Sequence, residues 1–263
     1  MKTADTSRIV TLTTDFGHQD PYVGVMKGVI LSGFPQAKLV DLNHEIPPFD
    51  ILAGAWSLKM SLSYFPKGTV HIAVIDPKVG TRQRRIALQM QDSVILAPDN
   101  GLITAFISSA KTAFVLDKPE FFLSSVSNTF HARDVFAPIA ARILSGTSVE
   151  QLATEIDMQS LATIDDLEPT TGAGFIEGAV VYTDRYGNMI TNIGADSKNK
   201  IKEIQVAGKV LALASGSYDT INDGQVQVVS GSHGYLEIAM KEASARDFLN
   251  VANGEKVKVQ TAC

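Results

Sequence analysis

The hydrophobic pattern of this chain changes once, between about residues 145 and 175, and that change limits the folds open to it. Before it, short apolar runs rich in β-branched residues alternate with runs of helical periodicity. Residues 8–14, 38–42, 69–75, 85–90 and 93–97 read as strands. Residues 22–32, 50–63, 101–108 and 134–144 read as helices, the second with Asp50 as its N-cap. Such alternation predicts an α/β domain with a mostly parallel sheet. After a polar, turn-rich stretch, only short strand-like runs follow: 178–183, 189–193, 203–206, 225–229, 235–239 and 256–260. Tyr186-Gly187-Asn188, Asn222-Asp223-Gly224 and Asn253-Gly254 separate them as turns. This part reads as an all-β, barrel-like or sandwich module. The expected domains are 1–165 and 166–263.

Charge and composition remove several classes of function. There are 23 basic and 28 acidic residues, a net charge of −5. The densest basic cluster is Arg82, Arg84 and Arg85, too small for a duplex footprint, so no nucleic-acid partner is expected. No apolar run approaches the roughly 18–20 residues of a transmembrane helix, and no basic amphipathic helix offers a membrane surface contact. The opening MKTADTSRIV has no apolar signal segment. Cys263 is the single cysteine, which allows no internal disulfide and suits a reducing cytoplasm.

In an open parallel sheet, ligands sit beyond the carboxyl ends of the strands. Three polar clusters fall there: Asp15, His18 and Asp20; Asn43, His44 and Glu45; and Asp76 with Lys78, Gly80, Thr81 and Arg82. A fourth, 130–134, opens a predicted helix. Each also has a local reading. Asp15 fits a helix cap, His44-Glu45 a solvated turn, and Asp76-Pro77 a strand-ending turn. The arginines fit a charged sheet edge, and His131 a satisfied core histidine. Convergence of four clusters on one side of a sheet favours a site. There is no nucleophile elbow, no phosphate-binding loop and no dinucleotide fingerprint, so no cofactor is expected. The five histidines form no H-x-x-x-H or H-x-H pair, and no metal is expected.

Seven strings then carry a family resemblance. They are LTTDFGHQDPYVGVMKG (12–28), VDLNHEIPPFD (40–50), YFPKGTVHIAVIDPKVGT (64–81), APDNGLIT (97–104), TFHARDVFAPIAA (129–141), DRYGNMITNI (184–193) and SGSHGYLEIA (230–239). In order and across nearly the whole chain, they resemble the S-adenosyl-L-methionine (SAM) hydrolases, or SAM hydroxide adenosyltransferases. Relatives of that family include the SAM-dependent fluorinase and chlorinase. The resemblance implies an α/β N-terminal domain and a β-barrel-like C-terminal domain. It also implies a homotrimer, with sites between the N-terminal domain of one subunit and the C-terminal domain of the next.

The implied reaction is displacement at the ribose 5′ carbon. Water or hydroxide attacks in line, methionine leaves from the sulfonium, and adenosine results. The leaving group is neutral and already activated, so a positioned, desolvated nucleophile suffices. The implied catalytic set is Asp76, His131 and an arginine. Many hydrolases carry that arginine where this chain has Gln83; Arg84 fits the longer fluorinase spacing, with Arg82 and Arg85 as alternatives. Among implied substrate contacts, Asp15 takes the ribose hydroxyls and Phe49 packs on the ribose–adenine region. Asp20, Tyr22, Asp184 and Ser232 match the methionine end, and His233 replaces a fluorinase arginine. Asn188 reads the adenine edge, as a group that donates and accepts, and Tyr218 stacks on adenine.

Fluorinases have tyrosine in place of Asp76 and tyrosine-serine in place of His131-Ala132. A fixed carboxylate at the nucleophile position repels halide, which argues hydrolase over halogenase. A third reading is a nucleoside- or SAM-binding module without catalysis. The family turn D-P-G-V-G reads D-P-K-V-G here, and a positive φ required at Lys78 would strain it.

Overall fold

β1 (Ile9–Thr14) is buried at five of its six positions and β3 (Thr69–Val74) at all six, the signature of strands covered on both faces. They sit side by side in a sheet completed by β2 (Lys38–Asn43), β4 (Arg85–Gln89), β5 (Ser93–Pro98), β6 (Thr112–Val115) and β7 (Thr154–Ile156). The computed structural model describes residues 8–196 and 201–261; Cys263 and the opening 1–7 lie outside the described residues. The strand order is β2-β1-β3-β5-β4-β6-β7. The pairs β2–β1, β1–β3 and β3–β5 are parallel, and β4, β6 and β7 extend the sheet antiparallel.

Helices α1 (Tyr22–Gly33), α2 (Ile51–Ser61), α3 (Thr104–Ile107), α4 (Ala137–Leu144) and α5 (Val149–Leu152) complete this unit. α1 and α4 pack closely: a Cβ on Gly33 would lie 2.8 Å from the Ala141 Cβ. Leu12, Met26, Ile30, Ile72, Leu96 and Phe136 form the centre of their shared core. Asp50 caps α2 as expected, its Oδ1 accepting from the Ala53 amide at 2.9 Å. The helix expected over 101–108 is only Thr104–Ile107, because Gly101 turns with φ +95°.

A second compact unit begins at Asp165. It holds β8 (Thr170–Gly172), β9 (Phe175–Thr183), β10 (Met189–Gly194), β11 (Ile201–Val206), β12 (Lys209–Leu213), β13 (Val226–Ser230), β14 (Tyr235–Met240), α6 (Ala245–Leu249) and β15 (Lys256–Thr261). The order β10-β14-β13-β12-β11-β15-β9 closes through β9–β10 pairing into a seven-stranded barrel. β8 adds a short hairpin to β9. Val180, Ile193, Val206, Val228, Ile238 and Val259 fill the interior. Closure leaves these strands no open edge. No helix among the described residues is long and apolar enough to cross a membrane.

Candidate active site

The parallel register pairs Thr14 of β1 with Val74 of β3, so Asp15 and Asp76 leave adjacent strands at the same end of the sheet. Burial raises the proton affinity of Asp76 above the usual carboxylate range, and the charge of Asp15 adds to that. Three groups oppose the rise. Gln83 Nε2 donates to Asp76 Oδ1 at 2.6 Å, the Lys78 amide donates to the same oxygen at 3.2 Å, and His131 lies within electrostatic reach. Both donors use Oδ1, which leaves Oδ2 without a recorded donor among the described residues.

His131 is buried at the entry to a π-helical turn, Ala132–Phe136, that leads into α4. The turn is held from behind. Fully buried Asp134 accepts from the Ser127 amide and hydroxyl, both at 2.8 Å, and from Arg133 Nε at 2.6 Å. Burial, then the charge of Arg85, lowers the proton affinity of His131; Asp76 and Asp134 partly offset this. The imidazole is therefore neutral near pH 7. Asp76 and His131 line one small cavity of about 40 Å³ with Phe16, Val79, Thr129 and Phe130. That volume holds roughly one water molecule.

The turn after Asp76 is not strained at Lys78, which lies outside the left-handed region. The positive φ falls on Gly80, at +80°, where a Cβ would stand 2.1 Å from the Asn128 carbonyl oxygen. Glycine is needed there and lysine is tolerated two positions earlier.

Around this pair, Asp15 Oδ2 accepts from the Phe49 amide at 2.9 Å. Phe49 has φ 69° and is 68% exposed, an unusual conformation for a bulky aromatic. Tyr22, half-exposed at the start of α1, packs edge-on against Phe16 and Phe130 at 5.8 and 5.3 Å. Asp20 is exposed in the loop before α1. His44 is not the solvated turn residue its sequence context suggested. It is 1% exposed and bridges Thr14 Oγ1 at 2.8 Å to Asp41 at 3.1 Å. Its backbone oxygen accepts from the Gly17 amide, so His44 pins the loop that carries Asp15.

Residues 10–153 match the SAM hydroxide adenosyltransferase N-terminal domain, and residues 178–258 match the corresponding C-terminal domain. The chain belongs to the SAM hydroxide adenosyltransferase family. The (R)-S-adenosyl-L-methionine hydrolase of Thermus thermophilus is 34% identical, over 96% of this chain and 99% of that protein. A fluorinase from Nocardia brasiliensis is a more distant relative, 26% identical over 96% of each chain. The crystal structure of a conserved Thermotoga maritima protein superposes with a TM-score of 0.87 at 30% identity, over 96% of this chain and 99% of that one.

In this SAM hydroxide adenosyltransferase chain, Arg84 is not brought to Asp76. Its guanidinium is held by Asp99 Oδ2, with Nε at 2.7 Å, and by Ser160 Oγ at 2.9 Å. The residue that touches Asp76 is Gln83, and the guanidinium felt by His131 is that of Arg85. Sequence reasoning passed over Gln83 in the search for an arginine. The available signal was the family spacing, which puts the group that meets the aspartate at position 83.

In the barrel unit, Asn188 and Tyr218 line a cleft of about 560 Å³ with Tyr186, Met240 and Ser244. Asp184 organises the turn below it. Its Oδ1 accepts from the Tyr186 and Asn188 amides at 2.9 and 2.8 Å, and its Oδ2 from Asn188 Nδ2 at 2.9 Å. The Asn188 side-chain oxygen has no partner in that turn. The Tyr218 hydroxyl donates to buried Glu237, and burial followed by that carboxylate raises the phenol well above its ordinary range. Ser232 and His233 are exposed in the β13–β14 turn. Met189 pairs with Ile238 and Gly194 with Tyr235, so this turn lies at the opposite end of β10 from Asn188. Among the described residues, no three His, Cys, Asp or Glu side chains are grouped as metal ligands.

Proposed function

We propose that the chain hydrolyses SAM to adenosine and L-methionine by in-line attack of water on the ribose 5′ carbon. The observation that carries this reading is the cavity of about 40 Å³ holding Asp76 and His131 at the end of β3. One water there meets a carboxylate oxygen, Asp76 Oδ2, and a neutral imidazole, both proton acceptors. The water oxygen forms the bond to the 5′ carbon as the carbon–sulfur bond breaks. The electron pair leaves with the thioether of methionine, and the water proton passes to the Asp76–His131 pair. The sulfonium cation is drawn to the two carboxylates, Asp15 and Asp76, whereas a halide nucleophile is repelled by them.

In this reading Asp15 takes the ribose hydroxyls and Phe49 covers the sugar. Asp20 and Tyr22 stand at the methionine end. The barrel cleft supplies the adenine contacts Asn188 and Tyr218, with Asp184 organising the turn below it; Ser232 and His233, in the turn at the far end of β10, do not line that cleft. Arg84 drops out of the reacting set, since its guanidinium is committed to Asp99 and Ser160. We propose a cytoplasmic homotrimer in which the barrel unit of a neighbouring subunit completes each site; native mass measurement tests the assembly. The reaction is tested by chromatography of SAM incubations with and without halide. Adenosine formed without halide and lost in Asp76→Ala supports the hydrolase. A 5′-halo nucleoside, or bound SAM without product, refutes it.

A further inference from the structure

β2 is irregular just before the loop that follows it. Leu12 of β1 pairs with Asp41, but the next residue, Thr13, pairs with Asn43, so Leu42 is skipped. A bulge of this kind re-aims the side chains beyond it. Asp41 and His44 are three residues apart and would face opposite ways along a regular strand. Here they meet, with His44 Nε2 3.1 Å from Asp41 Oδ1. The ring is buried, and its other nitrogen, Nδ1, stands 2.8 Å from Thr14 Oγ1. Thr14 Oγ1 in turn accepts from the Phe16 amide at 3.2 Å. At the outer end Lys27 of α1 donates its Nζ to Asp41 Oδ2 at 2.6 Å. These bonds run in one direction. An ionised carboxylate only accepts, so His44 Nε2 carries the ring proton, and Nδ1 of the neutral ring accepts from the Thr14 hydroxyl. Burial lowers the proton affinity of His44 against the pull of Asp41, which keeps the ring neutral near pH 7. The Thr14 hydrogen is thereby committed to His44, and its oxygen is left to the Phe16 amide.

We propose that Asp41 and His44 are positioning residues for the substrate: the Nε2–H tautomer that Asp41 imposes on His44 locks Thr14 and the Phe16 amide, and so fixes Asp15, the residue between them, to receive the ribose hydroxyls. A second tie acts on the same loop, since the Gly17 amide donates to the His44 carbonyl at 2.8 Å. Asp15 Oδ2 is engaged by the Phe49 amide, and Oδ1 is left without a recorded donor among the described residues. The two loops that follow β1 and β2 are therefore joined at three points: Thr14–His44, Gly17–His44 and Asp15–Phe49. The purpose of this arrangement rests on the reading of Asp15 as the ribose contact; the tautomer itself does not.

One arm of the test needs no activity. Ring-nitrogen NMR of histidine-labelled full-length protein at pH 7 should show His44 protonated at Nε2 and not at Nδ1. The opposite tautomer, or an imidazolium, overturns the proposal. Asp41→Leu should move the proton to Nδ1. The placement of Asp15 is read by calorimetry with adenosine and 2′,3′-dideoxyadenosine. Wild-type protein should prefer adenosine by about tenfold or more, as a hydrogen bond to a charged group would give. Asp41→Leu and Thr14→Val should lose most of that preference, and Thr14→Ser should keep it. KM for SAM should rise several-fold in the first two, with kcat little changed. Lys38→Gln, at the start of β2, should alter neither the tautomer nor the preference. If Thr14→Val does not fold, Asp41→Leu, at a side chain 37% exposed, carries the same readout. Wild-type indifference to the ribose hydroxyls, or an intact preference in folded Asp41→Leu or Thr14→Val, overturns the proposal. If the preference follows the variants while wild-type protein makes no adenosine, the hydrolase reading fails and the positioning assignment stands.

Discussion

Replacing Gln83 with leucine isolates the hydrogen bond that sets the state of Asp76. In the native site Asp76 Oδ1 receives a 2.6 Å bond from Gln83 Nε2 and a longer, 3.2 Å bond from the Lys78 amide. Gln83→Leu keeps the volume approximately and removes the shorter bond. A hydrogen bond to a charged group contributes about 1.5–3 kcal/mol, and partial exposure of Asp76 lets water replace some of it. A net loss of about 1.4 kcal/mol, just below that range, corresponds to one pKa unit. The sign follows from the role of the group. In the proposed reaction Asp76 works as the ionised carboxylate, its proton affinity is already raised by burial, and losing a donor to the anion raises it further. Activity lost as pH falls should therefore disappear about one unit higher in the variant, with the high-pH plateau little changed. On the acid limb, adenosine formation should be roughly tenfold slower at a fixed pH. Initial rates between about pH 4 and 9 measure this directly. A limb that stays in place, with circular dichroism showing an intact fold, would refute the claim that Gln83 governs a titrating Asp76.

Asp76→Asn should abolish turnover yet raise Tm at pH 7. The folded protein binds the Asp76 proton more tightly than the unfolded chain does, so the stabilising contribution of the protonated form is full below the unfolded pKa. It is lost as pH rises through the folded value. Calorimetry should show the two proteins converging below about pH 3.9, and a lower Tm for the variant at pH 7 contradicts the burial argument. Phe49→Gly should leave Tm nearly unchanged, because the left-handed φ of 69° costs a side chain about 1–2 kcal/mol while glycine gives back a similar amount in chain entropy. Its KM for SAM should rise several-fold with kcat preserved; an unchanged KM removes Phe49 from the sugar-binding surface.

Much of the architecture was legible because the central strands carry continuous burial. β1, β3 and β5 are buried almost throughout, and their β-branched runs stand out without any partner information. The strands that escaped notice are β6, β7, β8 and β12, each five residues or shorter. β12 buries one residue of five, β7 none of three, and β8 is exposed along its length. Their pairing is decided by the neighbours that accept their backbone bonds, a non-local quantity. Among the site residues, Asp76 and His131 were readable as polar groups at element ends. His44 was misjudged because solvent exposure at a strand end is the usual outcome, and its partner Thr14 comes from the neighbouring strand β1, with Asp41 three residues back on its own strand.

The sequence by itself determined the two architectures and singled out Asp76 and His131 as the candidate carboxylate and imidazole, both from local chemistry: hydrophobic period and side-chain type. The structure moved the positive φ of the turn after Asp76 from Lys78, where the sequence placed it, to Gly80. Only the tertiary structure decided which neighbour of Asp76 does the work. Along an extended segment each one-residue step reverses the side chain, so Arg84 is carried to Asp99 and Ser160, away from Asp76. The same step brings Gln83 to Asp76 and turns Arg85 onto Phe122, a choice set by the register of β4 against β5 and β6.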